Sequence, residues 1–326
     1  MKTIVALPGE GIGLEVVDAT CELLAGTGLP LKIDTPPQGQ AALKSHGAAL
    51  PDETKRAARE ADGVLFGAAG GPATSAVVAW LRWEMGAYAG VRPIRFYPGM
   101  HSPLADPAGI DYVILRENSE GLYPGREGEL ADLARVMPDL RDRSGRTIKE
   151  YGEGRFAVKV VTHAAAERIA RFACRLALAR RAKGKPGKVT CVTKSNVLAR
   201  SDGLFRETAE RVVSEAGLAF EHFYVDDASR RLVRFPKAMD VVLCMNLYGD
   251  ILSDLGAETA GGLGLAPSAC HGEGWAYFES VHGSAPDIAG RGIANPTATI
   301  LSAALMLDHM GLGDEAERLE AAVARV

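Results

Sequence analysis

The sequence predicts an α/β fold in which central sheets are flanked by helices. Short runs rich in Val and Ile alternate with longer stretches of helical period, which is the pattern of strands joined by crossover helices. The runs are predominantly apolar rather than alternating, as strands covered on both faces are. The chain has 326 residues, of which 47% are hydrophobic and 24% charged, enough to build substantial cores in two domains.

In chain order the strand candidates are TIVAL from Thr3, GVLFGA from Gly63, DYVIL from Asp111, FAVKVV from Phe156, KVTCV from Lys188 and MDVVLCM from Met239. Helices are predicted over Ala164 to Lys183, where Ile169, Phe172 and Leu176 recur at helical spacing, and over Ala298 to Met310, with Ile300, Ala304 and Leu307. The charged, Gly- and Pro-bearing stretch from about residue 124 to 155 lacks a core pattern and is expected to project as an arm. No internal repeat or low-complexity linker divides the chain.

Bulk properties narrow the function classes. A net charge of −4 and a pI near 6.0 provide no field for nucleic acid or an anionic membrane. The basic run Arg180 to Lys188 contains Gly184 and Pro186 and reads as a solvated turn closing a helix. The apolar run before Pro8 is too short for a signal peptide, and no stretch reaches membrane-span length. Cys21, Cys174, Cys191, Cys244 and Cys270 are scattered and odd in number, which suggests neither disulfides nor a thiolate metal site. The expected location is the cytoplasm.

Several constellations bear chemistry. In NLYGDILSD, Asp250 and Asp254 are four residues apart after the apolar run VVLCM, so a helix there carries both carboxylates on one face. Two readings fit: a hard divalent cation such as Mg2+ or Mn2+ bound between them, or acidic residues favouring a helix start. Arg82, Arg92 and Arg116 are guanidinium forks suited to a substrate with more than one carboxylate, and Arg116 directly ends DYVIL. Lys194 ends KVTCVTK, where it either meets an anion or emerges into water. Tyr123 follows SEGL and is either packed or catalytic. PGEGIG, residues 8 to 13, has Leu14 where the third glycine of a dinucleotide fingerprint belongs, so the usual Rossmann reading fails. HGSAPDIAGRGIANP, residues 282 to 296, is a dense polar turn whose Asp287 could read a ribose hydroxyl.

Taken together, LPGEGIG, YAGVRP, RENSEGLYPG, VTKSNVLARSDGLF, NLYGDILSDLGAETAGGLGLAPSA and HGSAPDIAGRGIANPTATILSA resemble, in order and across nearly the whole chain, the β-decarboxylating dehydrogenases. That family comprises isopropylmalate, isocitrate, homoisocitrate and tartrate/D-malate members. The resemblance implies an isopropylmalate-dehydrogenase-like two-domain fold with a non-Rossmann NAD site. A cofactor domain would span 1–90 plus 260–326, and a substrate and dimerisation domain 91–259, including the arm. It implies a homodimer with shared active sites, Lys194 and Asp226 of one chain serving the other. Asp226, Asp250 and Asp254 would hold Mg2+ or Mn2+; Arg82, Arg92 and Arg116 would clamp the malate carboxylates. Lys194 would take the 2-hydroxyl proton and Tyr123 would protonate the product carbon.

Asp287 and Ile288 stand where NAD-using members carry an acidic residue for the ribose diol, so NAD is the expected cofactor. His282, Gly283 and Asn295 would line the adenosine side and Asn196 the nicotinamide. In SAVVAWLR the residues Val77, Val78 and Ala79 favour an apolar 3-substituent, as in isopropylmalate, and Ser75 is the one polar residue left there to meet a further carboxylate. Tartrate or D-malate, and isocitrate or homoisocitrate with Arg95 or Arg126 contributing, are the alternatives. A catalytically silent regulatory subunit is the reading from another class, opposed by retention of every catalytic, arginine and aspartate position.

Overall fold

The computed structural model describes all residues, Met1–Val326. Ten strands form one twisted sheet: β1 (Lys2–Gly9), β2 (Leu31–Asp34), β3 (Gly63–Ala68), β4 (Ala89–Arg95), β5 (Asp111–Glu117), β8 (Lys188–Thr193), β9 (Ala219–Tyr224), β10 (Val241–Cys244), β11 (Pro267–His271) and β12 (Ala276–Ser280), in the order β2-β1-β3-β12-β11-β4-β5-β10-β8-β9. Two parallel blocks, β2-β1-β3-β12 and β5-β10-β8-β9, flank antiparallel pairings of β11 with β12, β11 with β4, and β4 with β5. The first block and β11 are drawn from both ends of the chain, whereas β4 and the second block come from its middle.

The pleat sends successive residues to opposite faces. On β1, Ile4 and Ala6 join the same apolar cluster as Val113 and Leu115 of β5, so one face carries a core continuous across both blocks. The opposite face does not. There Val5, Leu7, Val64 and Tyr277 belong to one cluster, while Ile94, Tyr112, Ile114 and Leu252 belong to another. The gap between these clusters is filled by polar side chains, and it positions the candidate site.

FAVKVV does not add a strand to the main sheet. Only Arg155–Ala157 is extended, as β7, pairing antiparallel with β6 (Glu127–Glu129) in a separate ribbon. Its residues are exposed or half-buried, and Lys159 leaves to pair with the buried Asp202. The helix Leu130–Val136 of the same arm buries none of its residues. The strands β2, β4, β9, β11 and β12 lacked a strong apolar run and were not expected; they are recruited by pairing.

The predicted helices form as His163–Ala182 and Thr297–His309. The basic run after the first is more than a solvated turn. Arg180 is largely buried and bridges Asp240 at 2.6 Å and Asp111 at 3.2 Å, tying helix to sheet. No helix is long and apolar enough to cross a membrane.

Candidate active site

Arg116 is the last residue but one of β5 and is 1% exposed, pointing to the interrupted face. Against it lies the helix Asn246–Thr259, which starts directly after β10. This start settles one ambiguity: Asp250 lies in the second turn and Asp254 in the third, so neither caps the helix or meets its free N–H groups. Gly249 lets helix and strand touch, since a Cβ there would sit 2.8 Å from Cβ and Cγ of Arg116.

The network is dense. Arg116 donates from Nε at 3.0 Å and Nη2 at 2.8 Å to Asn246 Oδ1, and from Nη1 to Asp250 Oδ1. Arg92 of β4 donates at 3.3 Å to the same Asp250 oxygen and at 2.6 Å to Ser253 Oγ. Tyr123 donates its hydroxyl to Asp250 Oδ2, and its ring lies 4.5 Å from the Arg116 guanidinium. Arg82 reaches the same charges from a π-helical turn, Trp80–Glu84, a distortion frequent at functional sites. It is anchored by Tyr277 Oη at 3.0 Å and Glu279 Oε1 at 3.1 Å.

These contacts set the electrostatics. Burial, then the neighbouring Arg92 and Arg82, push the Arg116 guanidinium down to about 10, the mark of cations crowded together. Burial alone would raise Asp250, but Arg116, Tyr123 and Arg92 outweigh it and hold the carboxyl below its ordinary value. Asp254 goes the other way: partial burial and the Asp250 charge hold it above that value against the pull of Arg92. Asp254 makes no hydrogen bond or ion pair and lies open to solvent on the Asp250 side of the helix. Burial and the bond to Asp250 raise the Tyr123 phenol, so it is protonated at neutral pH and able to donate.

Two carboxylates on one helical face, one of them without a donor, suit a hard cation needing oxygen ligands. A single chain offers no cluster of three such ligands. Asp226, in the first turn of the helix Val225–Arg234, pairs instead with Lys194 at the carboxyl end of β8. No hydrogen bond or ion pair links Lys194 or Asp226 to Asp250 within the chain, and Asn196 is exposed beside Lys194. The structure therefore separates the predicted residues into two groups. Exposed apolar side chains mark both: Ile251, 55% exposed, stands between Asp250 and Asp254, and Val197, 48% exposed, follows Asn196.

The predicted cofactor residues lie on the loop between β12 and the helix Thr297–His309. Asp287, Gly283 and Asn295 are exposed, Ile288 is half-buried, and Asn295 Oδ1 accepts from Thr297 N at 3.0 Å. The loop packs on the glycine turn after β1. Ile12 N donates to Ser284 O at 2.9 Å, and a Cβ on Gly11, whose φ is +61°, would meet that oxygen at 2.1 Å. His282 donates from Nδ1 to Gly283 O at 3.0 Å, while its buried Nε2 has no partner, an orphan that fits a polar ligand in this turn.

Sequence reasoning missed Tyr277 and Glu279. Their only signal is polar residues interrupting the apolar strand AYFES. It also misplaced Val77, which is fully buried in the core with Trp80 and Leu81; on the same helix, Pro72–Ala79, Ser75 is exposed and Val78 is half-buried against that core. Arg95 is unsuited to a substrate role, being paired with Glu320 at the far end of β4 from Arg116.

A model of the isocitrate/isopropylmalate dehydrogenase family matches residues 3–326. The chain is similar to the 3-isopropylmalate/3-methylmalate dehydrogenase of Methanocaldococcus jannaschii, at 46% identity over 100% of this chain and 91% of that protein. It is similar to the isocitrate/homoisocitrate dehydrogenase of Thermus thermophilus, at 40% identity over 98% of this chain and 89% of that protein. Among solved structures, the isocitrate dehydrogenase of Methylococcus capsulatus superposes with a TM-score of 0.85 at 39% identity, covering 100% of this chain and 90% of the other.

Proposed function

Because the chain belongs to the isocitrate/isopropylmalate dehydrogenase family, we propose that it catalyses the NAD- and divalent-metal-dependent oxidative decarboxylation of a 3-substituted malate, isopropylmalate-like in carrying an apolar substituent. It is a dehydrogenase, and the observation that carries the substrate class is the convergence of the Arg82, Arg92 and Arg116 guanidinium groups on one site, where Asp250 and Glu279 hold them in place. Converging guanidinium forks match a dicarboxylate.

Asp250 and Asp254, with Asp226 of a second copy, would hold Mg2+ or Mn2+, which when bound polarises the 2-oxygen and stabilises charge left by departing CO2. His282, Gly283, Asp287, Ile288 and Asn295, with Asn196 of the second copy, would hold NAD, which accepts the hydride. The exposed Asp287 carboxylate suits a ribose diol and repels a 2′-phosphate. The chain's own groups do the rest. The three arginines bind and orient the carboxylates, Lys194 takes the 2-hydroxyl proton, and Tyr123 returns a proton to the carbon that has lost its carboxylate.

The two groups of residues complete one another in a homodimer with shared active sites, whose interface covers Ile251 and Val197 and whose arm, with Val136 71% exposed, embraces the partner. We place the domain division at 1–90 plus 260–326 against 91–259, with the interrupted face as the cleft. A soluble protein without nucleic-acid or membrane partners, in the cytoplasm, fits this chemistry.

The test is a substrate panel of 3-alkylmalates, D-malate, tartrate, isocitrate and homoisocitrate, comparing kcat/KM with NAD and with NADP in the presence of Mn2+. The reading expects a 3-alkylmalate with NAD to be preferred. A preferred tricarboxylate overturns the apolar substituent, and preference for NADP overturns the role of Asp287.

A further inference from the structure

The continuous face of the sheet, turned away from the arginine cluster, carries a second cleft of about 570 Å3. One wall is the helix His163–Ala182, contributing Glu167, Arg168, Arg171 and Arg175; the other is Tyr88 and the glycine turn joining β11 to β12. The pleat explains the separation: Arg116 and Glu117 are consecutive on β5, so one faces the proposed active site and the other faces this helix.

Two of the three arginines have no carboxylate partner. Arg171 is held by Glu167 at 2.5 Å, and the other oxygen of Glu167 takes Arg211 at 3.0 Å, so that carboxylate is already neutralised. Arg168 is positioned without being neutralised. Its guanidinium stacks 4.0 Å from the Tyr88 ring centre and donates to Ser119 Oγ at 3.1 Å, while its Nε is buried with no acceptor. Arg175 lies 5.2 Å from the Phe172 ring centre and makes no hydrogen bond. Glu273, exposed on the glycine turn, is the one remaining carboxylate of the lining. None of these groups serves the reaction proposed above.

We propose that this cleft binds a small multivalent oxyanion, a phosphate or a tricarboxylate, between Arg168 and Arg175. Guanidinium forks bind both groups in bidentate fashion, and stacking on Tyr88 and Phe172 pre-organises the donors, lowering the entropy lost on binding. A ligand oxygen would also satisfy a donor that the fold leaves buried and unmet.

The experiment is calorimetric titration of the metal-free protein with inorganic phosphate and with citrate, at constant ionic strength, in wild type, Arg168→Gln, Arg175→Glu and Arg116→Gln. The expected result is that at least one anion binds and that each of the first two substitutions weakens it by about tenfold or more, as loss of a charge-assisted contact does. Arg116→Gln leaves that binding in place, and the tighter of the two anions identifies the source. Binding unchanged by Arg175→Glu, binding lost with Arg116→Gln, or heats no larger than those of sodium chloride would overturn the proposal. Arg175 is exposed and without hydrogen bonds, so its substitution keeps the test valid even where Arg168→Gln does not fold.

Discussion

Asp250 accepts from Arg92, Arg116 and Tyr123 at once, whereas Asp254, one turn on, accepts from nothing. Substituting Asp250→Asn keeps acceptor capacity for the arginines but removes the charge that the proposed cation and the surrounding guanidinium groups would need. A loss in kcat of about 10³-fold is expected, with the far-ultraviolet spectrum unchanged, since metal stabilisation of developing charge is worth several kcal/mol. Glu279 acts through another residue, holding Arg82 at 3.1 Å with its side chain 8% exposed. Glu279→Gln should raise KM about tenfold with a smaller change in kcat, and Glu279→Asp should recover part of it. A purely structural Glu279 would lower Tm without moving KM. At this scale the arginines, Tyr123 and the aspartate pair were legible because each abuts an apolar run or repeats at helical spacing. Glu279 was not, since it lies 197 positions from Arg82 and no local pattern joins them.

The helix Asn246–Thr259 presses on β5 through glycine. At Gly249 an added Cβ would stand 2.8 Å from the Arg116 side chain, and at Gly256 it would stand 2.7 Å from Tyr112 Oη. Gly249→Ala must therefore lift the helix or displace Arg116. The expected cost is about 1–3 kcal/mol of stability, read by denaturant unfolding, together with a fall in kcat/KM larger than that of Gly256→Ala, which is farther from the site. Periodicity predicted strands with long apolar runs correctly and failed for FAVKVV. A run of apolar residues states only that burial is sought; Lys159, and pairing with β6 alone rather than with the main sheet, decide that this one is an arm edge.

Two expectations concern the molecule as a whole. If Lys194 and Asp226 serve the partner, then Lys194→Met and Asp250→Asn, each inactive alone, should complement when mixed and refolded. Random pairing makes half the dimers hybrids with one intact site each, so about a quarter of wild-type activity is expected. No recovery would place both residues in the same chain's site. The second concerns acid. His271 of β11 packs against Phe172 from the middle of the chain and His309 from near its end, and burial, then the His309 charge, push its imidazole down to about 4. The fold thus favours the neutral ring. The stabilising contribution is complete above the unfolded value near 6.5 and is lost as pH falls toward 4, by ~3 kcal/mol at most. Tm should decline over that window in wild type and decline less in His271→Phe.

The amino-acid order alone determined the kind of chemistry available: a pair of carboxylates at helical spacing, guanidinium forks, and strands whose apolar runs demand cover on both sides. These are local, since helical period and strand burial act within a few residues. Tertiary structure decided which of those groups share a site. Interleaving strands from both chain ends with strands from the middle leaves one face of the core continuous and breaks the other, and only the broken face gathers Arg82, Arg92, Arg116, Tyr123 and Asp250. Strand order depends on pairings between distant segments, which no window along the chain encodes.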